Sequence, residues 1–171
     1  MTTHGTVFIR AAIFAAGAFA ALALFAAPAG AATTYRFFSK QTSQQFLDPS
    51  GKPITDPNAQ PVAGDQFIST DLDYVGNHKH HAKHWTVTDH LACTITSTTP
   101  TGALALCNGQ FAIGGSLLIA ENENVTFNFA SASTTVVPVN AGTGKFRHAK
   151  GTVRSTDIGN SNNSDVVIKL H

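Results

Sequence analysis

The chain has 171 residues, of which 43% are hydrophobic and 12% charged, and a formal net charge of +1. So even a balance leaves no basic footprint for nucleic acid and no electrostatic hold on an anionic membrane surface. Neither is expected as a partner, and the length suits one ordinary domain.

The first 32 residues read as a secretory leader. Arg10 is their only charged side chain, and residues 11–27 contain nothing but Ala, Gly, Leu, Ile and Phe. Pro28 and the small residues Ala29, Gly30, Ala31 and Ala32 then form an exit suited to signal peptidase. A retained anchor is the alternative, but this apolar run is at the short limit for crossing a bilayer. The expectation is a signal peptide over 1–32, a domain over 33–171, and a secreted, extracellular product with no membrane attachment after cleavage.

In chain order, the rest punctuates as β structure rich in Thr, Val, Ile and Phe. Strands are predicted within Thr34 to Phe46, Gln66 to Val75 and His84 to Ser97. The stretch between the first two, from Asp48 to Ala63, carries four prolines and reads as an irregular connection. A strand from Ala103 to Ile113 should turn at Gly114-Gly115, where positive φ has no steric cost. Leu117 to Ala120 continues beyond that hairpin. Glu121 to Asn124 reads as a polar turn, followed by alternation at Val125, Phe127 and Phe129. Thr134 to Val139, Thr152 to Thr156 and Val166 to Leu170 complete a set of about eight short strands, which fits a sandwich or a closed barrel. Cys93 and Cys107 are the only cysteines. In an exported chain an even count predicts a disulfide, and closing so short a loop stabilises by about 3 kcal/mol on the chain-entropy model.

Two clusters invite chemistry. His78, His80, His81 and His84 crowd one interstrand segment, and imidazoles so close can hold zinc, copper or nickel. Their spacing matches no established metal motif, and Lys79 and Lys83 oppose a cation, so no metal and no cofactor is assigned. Asp71 and Asp73 share one face of a strand by period-two alternation. Asp65 joins that face if the strand runs unbroken, and Asp89 lies on the next strand. Carboxyls enclosed in a barrel can divide acid and base roles; on an outer face they would be solvated. The sequence has no nucleophile elbow and no phosphate-cradling or dinucleotide glycine pattern.

Gly142 to Gly151, GTGKFRHAKG, resembles the Gly-x-Gly-x-Phe-x-x-Ala-x-Gly turn and strand of plant dirigent proteins and allene oxide cyclases. Gly64 to Val75, Thr88 to Thr96 and Cys107 to Phe111 are similar, in the same order, to strands of secreted bacterial proteins with that barrel. The resemblance covers Tyr35 to Leu170. It implies an all-β, eight-stranded antiparallel β-barrel of the allene oxide cyclase/dirigent type, with Cys93 paired to Cys107. It also implies a small, largely apolar molecule in the cavity, with cyclase, isomerase or stereo-directing activity. Asp71, Asp73 and Arg154 have chemistry suited to catalysis in such a barrel. Phe67, Tyr74, Trp85, Phe111, Phe127 and Phe129 are candidates for its lining. The glutamate that the cyclases use has no placed counterpart, because Glu121 and Glu123 both fall in the predicted turn. The resemblance further implies a homo-dimer or homo-trimer through outer apolar strand faces, to which Val166 to Leu170 could contribute. A non-catalytic structural or interaction barrel is the alternative reading.

Overall fold

Alternating apolar and polar residues give each strand one face for a dry interior and one for water. The chain uses that pattern to wrap a sheet into a ring. The computed structural model describes residues 32–56, 58–128, 131–159 and 161–171. The expected leader, save for its last residue, and Phe129 lie outside them. The strands are β1 (Thr33–Leu47), β2 (Gln66–Asn77), β3 (His80–His81), β4 (Val87–Thr99), β5 (Gly102–Ile113), β6 (Ser116–Asn128), β7 (Thr134–Val139), β8 (Ala141–Gly142), β9 (Gly151–Asp157) and β10 (Ser164–Leu170). A single 3-10 turn spans Gly144–Phe146.

Every pairing is antiparallel, and the sheet order runs β7-β9-β10-β1-β2-β4-β5-β6-β8. β7 and β8 are consecutive in the chain, separated by Asn140 alone. The two ends of the sheet are thus two halves of one interrupted strand, and nine strands fill eight positions in a nearly closed meander. Asn140 manages the break. Its side-chain oxygen accepts the Glu121 N–H at 2.9 Å, and its amide donates to the Glu121 carbonyl at 2.8 Å. The two-residue β3 extends β2 outside the ring.

Strands of 12 to 15 residues can coil round a barrel only if they bend. Register shifts at Gln41/Ser43, Ile95/Ser97 and Cys107/Gly109 supply the bends. Gly114 and Gly115 turn the β5–β6 hairpin with φ of 57° and 76°, as their sequence implied. The segment expected as a turn, Glu121 to Asn124, is instead the middle of β6. Asn122 takes a φ of 58° there, which accommodates the bulge without ending the strand.

Inward residues form two apolar clusters. One centres on Phe37, Phe111, Leu118, Phe146, Val153 and Ile168 and seals one end of the ring. Phe146, from the 3-10 turn, plugs that end. The other comprises Cys93, Ile95, Ala103, Ala105, Cys107 and Val125. Cys93 and Cys107 face each other across β4 and β5, 4.0 Å apart at Cα, and are joined by the expected disulfide. Val166 and Ile168 also point inward and are buried. The apolar side chains of β10 therefore hold the core together, and only Val167 of that alternation is left to an outer apolar face, between Asp165 and Lys169.

Candidate functional site

Between the sealed end and the disulfide lies a cavity of about 510 Å³, within the range that holds a small organic ligand. An eight-stranded ring is just wide enough for one. Phe67, Phe111, Val125, Phe127 and Val153 give it apolar walls, while Gln41, Gln44, Asn128 and Asn162 border its polar part. Ser161 and Asn162, just before β10, help form the rim: Asn163 accepts the Gln41 N–H at 3.2 Å, and Asn162 donates to Gln44 at 3.1 Å.

Strand register assembles an acid cluster in the interior. Ser39 pairs with Asp73, and Asp71 pairs with Asp89, so alternation turns all four side chains inward. The Ser39 hydroxyl lies 3.0 Å from Asp71 Oδ2 and 3.5 Å from Asp89 Oδ2. Asp71 and Asp89 line the cavity. Asp73 is completely buried, and neither of its oxygens, nor Asp71 Oδ1, has a hydrogen-bond partner. Two of the three carboxyls share one hydroxyl, and the third has none.

Burial in this setting disfavours charge, and each carboxyl responds. Desolvation pushes Asp89 up to about 9, and the charges of Asp73 and then Asp71 add to the shift against the Ser39 hydrogen bond. Desolvation likewise pushes Asp73 up to about 7. The nearby Ser39 hydroxyl opposes that rise, although it makes no hydrogen bond to Asp73, and the charge of Asp71 reinforces it. Asp71 is raised by burial, with Ser39 and His90 acting the other way. Burial thus biases the cluster towards its protonated forms.

The other expected residues divide by strand parity. Phe67, Phe111 and Phe127 reach the cavity. Tyr74 does not, because it neighbours the inward Asp73 and must face outward; it packs against Phe38 and His81 on the outer surface. Trp85 lies in the segment before β4 and is 51% exposed. Arg154 alternates with the buried Val153 and is exposed on the outer face of β9, so it cannot assist the carboxyls. Asp65 stays out of the cluster, because the turn before β2 breaks the strand; its carboxylate accepts the Val62 N–H at 2.8 Å. His78 bonds Asp165 through both Nδ1, at 2.6 Å, and its backbone N–H, at 2.7 Å. Among the described residues no group of three or more His, Cys, Asp or Glu is arranged so that it could hold a metal ion.

Two groups of the site carry no obvious sequence signal. Ser39 is one more hydroxyl in a strand full of them. Glu123 borders the cavity because the β6 bulge turns it inward, where Asn140 donates to its Oε1 at 2.9 Å.

No protein-family model and no curated protein matches the chain. Solved structures do. A pyocyanin demethylase superposes with a TM-score of 0.61 at 19% identity, covering 81% of this chain and 100% of that one. Two pterocarpan synthase dirigent proteins, PsPTS1 and GePTS1, superpose with TM-scores of 0.53 and 0.51 at 15% and 17% identity. Each covers 81% of this chain, and 92% and 87% of the dirigent chains are matched. The fold of this chain is the dirigent-type β-barrel that its motifs resemble.

Proposed function

We propose that the barrel holds a small, largely apolar molecule in its cavity and that the Asp71–Asp73–Asp89 cluster acts on it as a proton reservoir. One observation carries this reading: a cavity with aromatic walls on one part and neutral-leaning carboxyls set into it. A proton passed from Asp89 to a basic atom of the occupant, and returned after rearrangement, suffices for isomerisation, cyclisation or stereochemical steering. Such reactions depend on shape and one positioned acid more than on a nucleophile. The similar structures support it, since by name two are pterocarpan synthase dirigent proteins and one is a pyocyanin demethylase. The cavity favours this reading over a non-catalytic barrel packed solid. Export through the leader fits the disulfide, which an oxidising compartment maintains.

Gly109 offers the test. It lines the cavity, and a Cβ placed on it would meet only the end of the Leu91 side chain, at 3.8 Å. Gly109→Phe should therefore fill the cavity while keeping the barrel. Native mass spectrometry of the oxidised protein from its own host should show a small molecule that departs on denaturation, and the variant should lack it. An empty wild-type barrel that also ignores apolar probe ligands would sink the proposal.

A further inference from the structure

The cavity wall is one-sided in charge. Asp71, Asp89, Glu123 and Asp157 border it, and no Lys or Arg does among the described residues. The cations of the neighbouring strands, Arg36, Lys40, Arg154 and Lys169, are all exposed on outer positions. Lys145 and Arg147 flank the plug at the sealed end. His90 borders the cavity, but its Nδ1 is 3.0 Å from Thr70 Oγ1 on the outer side of β2 and β4.

Inside, Asp73 is fully buried with both oxygens unpartnered, and Asp71 Oδ1 has no partner either. Burying carboxyls with so few donors is unfavourable unless protons or a positive group compensate. The aromatic walls have the same preference, since the face of a phenyl ring attracts a cation and repels an anion. Phe67 and Phe127 both line the cavity and stand 5.7 Å apart in an edge-to-face pair.

Building on the reading of the cavity as a ligand site, we infer that its occupant is an aromatic molecule bearing a positively charged nitrogen. Carboxylates and phosphates are excluded by the same wall. The cation replaces protons on the cluster, so its binding strengthens as pH rises. The groups facing Asp89 in that exchange are Asp71 and Asp73 from β2 and Ser39 from β1, while β5 contributes only the uncharged Phe111.

Three probes with one tricyclic skeleton test this on the oxidised protein by fluorescence titration at pH 7 and pH 9: N-methylacridinium, acridine and 9-anthracenecarboxylate. The cation should bind about tenfold tighter than acridine, more so at pH 9, and the anion should not bind measurably. Asp89→Asn and Glu123→Gln should each narrow the gap between the cation and acridine. Equal affinities for cation and acridine, or a preference for the anion, overturn the charge assignment and leave the cavity reading intact. Failure of all three to bind, or binding that survives Gly109→Phe in a folded variant, overturns both.

Discussion

A carboxyl group with no exposed surface and no hydrogen-bond donor is held in its neutral form, and Asp73 is such a group. Its value near 7 and that of Asp89 near 9 both stand above the ordinary range of about 4 for an aspartate in an unfolded chain. The stability tied to the protonated forms is therefore complete below about pH 4 and is lost as pH rises, first through about 7 and then through about 9. Urea midpoints should fall between pH 5 and pH 9.5, and Asp89→Asn should flatten the upper part of that decline. The slope can reach about 1.4 kcal/mol per pH unit for each proton involved. A profile that is level across this range would show that the cluster is ionised without cost. Period-two alternation made Asp71 and Asp73 legible as a pair. The same rule, applied strictly, excludes Tyr74, the immediate neighbour of Asp73, from the interior. Ser39 was not legible, because a strand hydroxyl becomes a proton-cluster member only through cross-strand register.

At the scale of the strand, irregularities decide which side chains work. Glu121-Asn122-Glu123-Asn124 has the composition of a turn, yet long-range pairing with β5 keeps it in β6. Composition records local preference, and here tertiary pairing overrides it. The residue that makes this tolerable is Asn122 at a φ of 58°, since Asn enters the left-handed region more readily than other non-glycine residues. Asn122→Gly should leave thermal stability nearly unchanged. Asn122→Val, β-branched in the same conformation, should lower stability by about 1–2 kcal/mol in a chemical melt. An unaffected valine variant would mean that the bulge relaxes and that Glu123 is not held inward by it. The Gly142–Gly151 motif was legible for a related reason: its glycines answer backbone geometry rather than packing preference. Gly144 has a φ of 55° and sits against Ser116, and a Cβ on Gly142 would collide with the Phe146 and Leu117 carbonyls.

The whole molecule is a ring whose interior changes character along its axis, from a sealed apolar end through the carboxyl layer to a disulfide-braced wall. The separate strands were readable from alternation and turn residues. Their closure was not, because period-two patterns fit a sandwich equally well, and the resemblance in the 142–151 segment carried that step. The seam at Asn140 and the two-residue β3 lay below the resolution of pattern.

Pairing Thr33 with Leu170 sets the two extremities of the meander side by side, and every other neighbour in the ring is also its neighbour in the chain. Order along the polypeptide is then a convention of where the ring happens to be cut. A short glycine–serine bridge from the end of β10 to the start of β1, with new termini at the exposed Gly114–Gly115 turn, should give a circular permutant that folds and keeps the Cys93–Cys107 bond. Circular dichroism and a thiol count would read the result. Such a permutant that stays unfolded would mean that the β5–β6 hairpin must be continuous for the ring to form.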